Sequence, residues 1–149
     1  SELQAAVGQA QLKKLKTIRD GNLRNKKIIK DALIAEQHHG LQFRRITDPM
    51  ELADTLIFNF PELKRTQEVV KKLVKLDVPT KNLPDALDWH FAGKWNHMFN
   101  NVSVYKDSWH MEWAKTADLL ERSISIPIFC KWSTAEVEDL TSRLQQAIK

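Results

Sequence analysis

The chain has 149 residues, 42% hydrophobic and 28% charged, with only four glycines and five prolines; this is the make-up of one compact folded domain and excludes a disordered, collagen-like or low-complexity chain. Its net charge of +4 comes from 23 basic and 19 acidic side chains that alternate along the sequence, so a dedicated nucleic-acid binder is not expected and a solvated basic surface is. The single Cys130 cannot form an internal disulfide, and no apolar run approaches the roughly 20 residues of a bilayer span, so a cytoplasmic protein without membrane association is expected.

SELQAAVGQA opens without Met or a signal-like segment and is already helical in pattern, as expected of a piece of a larger protein. Leu3, Ala6 and Val7 share one stripe, and Ser1-Glu2 offers a capped, acidic start. Helical spacing resumes with Leu12, Leu15 and Ile18, then Leu23, Ile28, Ile29, Leu33 and Ile34. Between them Asp20-Gly21-Asn22 reads either as a turn or as a tolerated glycine inside one helix, at a cost of about 1 kcal/mol against Ala.

After His38-His39-Gly40 the runs LQFRRI and TLIFNF, separated by Asp48-Pro49, predict two strands and a loop. PELKRTQEVVKKLVKLDVP places Leu63, Val70, Leu73 and Val74 at helical intervals, with the lysines turned away. Pro79 and Pro84 disfavour helix before them and predict a loop from Val78 onward. SWHMEWAKTADLLER is expected to form a helix with Trp109, Trp113, Ala117 and Leu120 along one stripe, facing a core or a subunit contact. SISIPIF alternates as a strand with Ile124, Ile126 and Ile128 on one face, where Pro127 marks an edge strand or a strand end. Ser133-Thr134-Ala135-Glu136 has capping-box form and starts a last helix carrying Val137, Leu140 and Leu144. The sum is an α/β (α+β) domain, a small sheet of three or four strands backed by helices. It divides into a helical arm over 1–40 and a small domain over 41–149.

Five histidines, His38, His39, His90, His97 and His110, do not add up to a metal site: no HExxH, CxxC or i, i+4 histidine pair is present. The adjacent His38 and His39 suit a helix C-terminus better than a common ion. Cys130 follows a large apolar strand and reads as an inert thiol, although Lys131 beside it favours a thiolate. There is no Walker loop and no GxGxxG. Residues 81–99, KNLPDALDWHFAGKWNHMF, are the densest in chemistry-bearing side chains. Trp89 and Trp95 offer flat faces for stacking, and His90, Lys94 and, less directly, Asp88 and His97 offer polar contacts to a ligand. In the competing reading, Trp89, Phe91 and Trp95 only pin a long loop to the domain.

SELQAAVGQAQLKKL resembles a segment of the DegT/DnrJ/EryC1/StrS family of PLP-dependent sugar aminotransferases, in which the pattern is roughly N-x-R-M-S-E-L-Q-A-A-x-G-x-x-Q-L-x-x-L. Ser1, Glu2, Leu3, Gln4, Ala5, Ala6, Gly8, Gln11, Leu12 and Leu15 agree with it. TADLLERSISIPIF followed by STAEVEDLTSRLQQAI is similar to the family's closing helix, strand and capped terminal helix. The resemblance covers essentially the whole chain and implies the C-terminal part of a fold-type I aminotransferase, in lipopolysaccharide or surface-polysaccharide biosynthesis. It implies PLP in the full-length parent, held by a lysine, an aspartate and a phosphate-binding turn upstream. No catalytic, cofactor-binding or metal residue, and no bound PLP, is then expected in this stretch, which alone would be inactive.

The resemblance further implies a sugar substrate, an amino-acid donor and a homodimer, with Leu3, Val7, Leu12 and Leu15 near the subunit contact. Where relatives carry a PLH-type motif, this chain has NLPDALDWHFAGKW. Trp89, His90, Lys94 and Trp95 are accordingly the expected substrate-binding residues. The TKNLPDALDWHFAG version of the loop is similar to transaminases that make the 8-amino form of Kdo, an acidic sugar that Lys81, Lys94, Arg44 or Arg45 would suit. Two other readings stay open: a dehydratase of the same family, in which histidine replaces the Schiff-base lysine, and a non-catalytic sugar-binding or oligomerisation module.

Overall fold

The computed structural model describes residues 1–36, 40–82, 91–95, 98 and 109–149. They form a mixed α/β fold with the order α1 (Glu2–Leu12), α2 (Leu15–Ala35), β1 (Gln42–Phe43), β2 (Thr55–Asn59), α3 (Leu63–Lys75), β3 (Lys81–Asn82), a 3-10 turn (Ala92–Lys94), α4 (Trp109–Glu112), α5 (Ala114–Glu121), β4 (Ser123–Pro127) and α6 (Thr134–Ile148). Two compact units share the chain: residues 1–38, 45–56 and 127–149 make one, and residues 39–44 and 57–126 the other.

In the first unit, α1 is capped as its sequence predicts, with the Ser1 hydroxyl accepting from the Gln4 amide and Gln4 bonding back to Ser1. It buries no residue, and Leu3 remains 75% exposed. The helix breaks at Lys13–Lys14, after which α2 runs unbroken through Asp20-Gly21-Asn22. The turn reading of that tripeptide is thereby corrected. A β-carbon on Gly21 would lie 2.8 Å from Cys130 Cβ, so glycine is there to let the 127–133 segment approach the helix, not to end it. Next to it, Asn22 Nδ2 donates to the Leu52 carbonyl (3.1 Å) and Asn25 Nδ2 to the Phe129 carbonyl (2.8 Å).

Arg19 donates to the carbonyls of Pro49 and Glu51, and Lys26 pairs with Glu51 at 2.7 Å. This polar face of α2 therefore satisfies the carbonyls of Pro49, Glu51 and Leu52 in the loop between β1 and β2. α6 packs along α2 in the same direction, Gln145 reaching the Ala32 carbonyl and Lys149 reaching Glu36. Ile29 and Leu33 of α2 and Val137, Leu140, Leu144, Ala147 and Ile148 of α6 are fully or almost fully buried in this unit.

The predicted capping box at the start of α6 is present: Ser133 Oγ accepts from the Glu136 amide, and Glu136 Oε2 accepts from the Ser133 amide at 2.7 Å. Those bonds from Ser133, the backbone one foremost, hold the Glu136 carboxyl below its usual 4.5. A depressed folded-state pKa contributes stability that is present above the unfolded value and lost as the pH falls through the folded one. Ser133→Ala removes the hydroxyl cap and is expected to lower stability by about 1 kcal/mol at pH 7. It keeps the backbone bond to Glu136, so in urea titrations only the part of the deficit that comes from the hydroxyl's bond to the carboxylate should shrink below pH 4.5; a deficit independent of pH would mean that the hydroxyl contributes nothing through that charge.

In the second unit the four-stranded sheet has the order β1-β2-β4-β3. β1 and β2 are antiparallel with Phe43 opposite Phe58, and so are β3 and β4 with Asn82 opposite Ile124. Phe60 N bonds the Arg122 carbonyl while Ile128 N bonds the Asp54 carbonyl, so β2 and β4 also run antiparallel. β4 is thus a central strand, not an edge, and its first four residues are buried. Of the two readings of Pro127, strand end is the correct one, since it closes the strand where no ladder amide is required.

Phe58, Phe60, Val69, Leu73, Val78, Ile124 and Ile126 are the buried apolar residues of this unit. α3 turns Thr66, Val69 and Leu73 inward and leaves Val74 exposed, a shift of the inward face from the predicted Leu63/Val70/Leu73/Val74 stripe. Thr66 takes an apolar position because its hydroxyl reaches the carbonyls of Glu62 and Arg122. The helix ends with Val78 N bonding Leu73 O and Asp77 N bonding Val74 O, Asp77 adopting φ 52. Aspartate here does what glycine usually does in a Schellman stop.

Arg122 joins three elements. Its Nη1 donates to the Phe60 carbonyl (2.7 Å), Nη2 donates to Asp118 Oδ2 (2.6 Å), and its own carbonyl accepts from Phe60 N. The Asp118 carboxyl is held below its usual range by that guanidinium. The predicted single tryptophan-striped helix is interrupted at Trp113, so that α4 and α5 are separate. Trp113 is half-buried and meets Phe91 edge-to-face, with centroids 6.3 Å apart. That contact turns its indole toward the segment before the 3-10 turn.

Candidate substrate-facing site

The 3-10 turn carries the described part of the predicted sugar contacts. Phe91 enters extended, then Lys94 N bonds the Phe91 carbonyl (2.9 Å), Trp95 N the Ala92 carbonyl (3.0 Å) and Met98 N the Trp95 carbonyl (2.8 Å). Three short-range bonds thus coil the chain so that Lys94 and Trp95 leave the same turn. Gly93 is buried, and a β-carbon there would fall 2.5 Å from the Phe91 ring, which folds back over it. Phe91 in turn leans on Trp113. The result is an aromatic prop beneath a turn whose Lys94 is exposed and whose Trp95 is half-buried. An ammonium beside a partly covered indole is the chemistry that binds a hydroxylated or acidic ring: a flat apolar face for C–H bonds, a cation for oxygens.

Of the predicted site residues, Lys94 and Trp95 lie side by side in this turn. Trp89, His90, Asp88 and His97 lie outside the described residues. Lys81 sits in β3 opposite Ser125, and Arg44 follows β1, its amide bonded to the Ile57 carbonyl.

The second unit also holds a groove of about 370 Å³ lined by Gly40, Phe60, Pro61, Glu62 and Arg65, none of which the sequence reading selected. Arg65 lies over the Phe60 ring, 5.7 Å from its centroid. Gly40 adopts φ 81, and a β-carbon would meet Pro61 Cδ at 2.9 Å. The signal was present in the order of residues: a glycine after a helix, then FPELKR, an aromatic and a proline immediately before a helix that starts with cations.

The profile of the DegT/DnrJ/EryC1/StrS aminotransferase family matches residues 1–145. The chain belongs to that family. Among solved structures it is similar to the aminotransferase TlmJ from Streptoalloteichus hindustanus, with TM-score 0.67 and 14% identity over 96% of this chain. It is also similar to Spr1654 from Streptococcus pneumoniae, assigned by name to the sugar aminotransferases, in its apo-form (TM-score 0.65, 15% identity, 99% of this chain) and its PMP-form (TM-score 0.67, 15% identity, 99%). At such identities the likeness shows the fold. The chain spans about 35% of the length of each of those proteins.

Membership makes PLP the family's cofactor, and the described residues can be tested against it. Schiff-base chemistry needs a lysine whose amine is free to attack an aldehyde in a desolvated cleft. Lys26 is the buried lysine of the described residues, 9% exposed along its side chain, and its ammonium is committed to Glu51 at 2.7 Å. Lys13, Lys14, Lys16, Lys27, Lys30, Lys64, Lys71, Lys72, Lys75, Lys94, Lys115, Lys131 and Lys149 are half-buried or exposed. These residues do not fit the cofactor's covalent site, and no step through it is derived from them.

Proposed function

We propose that this chain is the C-terminal, substrate-facing part of a PLP-dependent sugar aminotransferase that acts on a keto sugar. The observation that carries the reading is the turn at 92–95, where exposed Lys94 and half-buried Trp95 stand on the Phe91–Trp113 prop within a chain that belongs to a sugar-aminotransferase family. Trp95 and Trp89 supply stacking faces, and Lys94 and His90 supply donors to ring oxygens or to a sugar carboxylate. An acidic eight-carbon sugar of the Kdo type, in lipopolysaccharide or surface-polysaccharide biosynthesis, is the substrate that these cations suit best. PLP, the reactive lysine and the amino-acid donor site belong to the parent enzyme, a cytoplasmic homodimer in this reading. Among the described residues no helix is long and apolar enough to cross a membrane.

Binding by the chain alone tests the site without the chemistry. Titration with an 8-keto derivative of Kdo, followed by tryptophan fluorescence, is expected to saturate, and Lys94→Ala and Trp95→Ala should each weaken binding about tenfold with unchanged circular dichroism. Equal affinity for a neutral keto hexose would remove the acidic-sugar assignment. Binding unaffected by either substitution would remove the turn from the site.

A further inference from the structure

The chain's charge looks evenly scattered in sequence but is not so in the fold. α3 holds five of the 23 basic side chains, Lys64, Arg65, Lys71, Lys72 and Lys75, and one of the 19 acidic ones, Glu68. The eighteen cations and eighteen anions of the rest of the chain cancel, so the whole excess of +4 resides on one thirteen-residue helix. In the other described helices several cations have carboxylates one turn away, as in Lys16–Asp20, Lys27–Asp31, Arg122–Asp118 and Arg143–Asp139. On α3, among the described residues, Arg65 alone has a partner of this kind, Glu68 at 3.9 Å.

Lys64, Lys71 and Lys75 are exposed and fall at i, i+7 and i+11, directly opposite the buried Thr66, Val69 and Leu73. At 1.5 Å per residue they form a straight ridge whose positions are about 10 and 6 Å apart along the helix axis. Stability does not explain it. Lys71 and Lys75 repel at i, i+4, and Lys64 and Arg65 stand in the first turn, where the helix dipole disfavours cations. The dipole favours only Lys72 and Lys75 at the other end. Along one flank of the ridge, Leu63 and Val74 are exposed as well, Val74 to 67%.

From this we infer that the outer face of α3 docks an acidic amphipathic helix of a partner protein. A helix built on the same repeat carries carboxylates at the ridge's own spacings, and its apolar edge covers Leu63 and Val74. The ridge is all lysine, with no aromatic residue for base stacking and no arginine for bidentate phosphate contacts, which disfavours nucleic acid. Its apolar residues lie on the flank and not at the crest, so a flat bilayer would meet lysines alone, which disfavours a membrane.

The test uses the 149-residue chain and a synthetic helical peptide with glutamates at i, i+4 and i+11, the ridge's intervals as met by a helix that docks antiparallel. Fluorescence anisotropy is expected to show binding that weakens with added salt. Lys64→Glu/Lys71→Glu/Lys75→Glu should weaken it about tenfold or more, and the glutamine triple variant should do so to a lesser degree. Lys13→Glu/Lys14→Glu/Lys115→Glu, the same charge change on exposed lysines elsewhere, should keep most of the affinity. Equal losses in the two glutamate triples would reduce the effect to net charge and overturn the proposal. So would tighter, ridge-dependent binding of a single-stranded oligonucleotide or of phosphatidylserine vesicles, or no peptide binding at all.

Discussion

Glu51→Ala is expected to destabilise the first unit by about 3 kcal/mol, whereas Lys26→Met should cost about 1 kcal/mol and the double variant no more than the milder single one. The asymmetry follows from where the two charges sit. The Lys26 side chain is 9% exposed, against 24% for Glu51. Removing the carboxylate strands an ammonium that water scarcely reaches; removing the ammonium leaves a carboxylate that hydrates by a small movement of its loop. Methionine at 26 keeps the aliphatic stem's packing and needs no partner. Partial exposure of Glu51 holds the estimate at the lower end of the range for buried pairs. Urea midpoints for the three variants decide the matter. Equal losses in both singles would mean that the pair acts as a hydrogen bond and not as a buried charge with its counter-ion.

That pair explains something about how the sequence could be read. Helices and strands announce themselves by periodicity, and the capped starts at Ser1 and Ser133, the strand at Ser123–Pro127 and the helix at Leu63–Lys75 were legible for that reason. Polar residues used inside the fold leave no such trace. Asn22, Asn25 and Lys26 look like the solvent face of an amphipathic helix, and they are buried because two loops bring carbonyls to the asparagines and the Glu51 carboxylate to the lysine. Thr66 faces inward where the predicted stripe had Val70, because its hydroxyl finds the carbonyls of Glu62 and Arg122 as partners there.

The candidate site was legible by composition and by resemblance, not by pattern. Lys94 and Trp95 stood out as residue types, and the turn that joins them is held by local bonds that no periodicity encodes. The prop formed by Phe91 and Trp113 links residues far apart in sequence, and the helix is interrupted at the same Trp113. The stripe Trp109/Trp113/Ala117/Leu120 had pointed to one continuous helix. The charge ridge on α3 was equally hidden, because alternation along a chain says nothing of how the residues of one helix add up.

Two glycines in helices should respond oppositely to the same substitution. Gly8→Ala is expected to stabilise α1 by up to about 1 kcal/mol and raise helicity by circular dichroism, since nothing lies within 4 Å of the added methyl. Gly21→Ala gains the same helix propensity and should nevertheless lose stability. Its methyl would stand 2.8 Å from Cys130 Cβ, 3.1 Å from the Cys130 carbonyl oxygen and 3.2 Å from its Cα. Two of the three are backbone atoms, so no side-chain rotation relieves the contact, and overpacking costs of about 1–3 kcal/mol exceed the propensity gain. The backbone would have to move at the segment whose Phe129 carbonyl Asn25 holds, so the loss extends to that hydrogen bond. Gly21→Val should be worse, by a further 1 kcal/mol or about that. A higher denaturation midpoint for Gly21→Ala would show that the Cys130 turn yields freely, and close approach would then no longer account for glycine in the middle of α2.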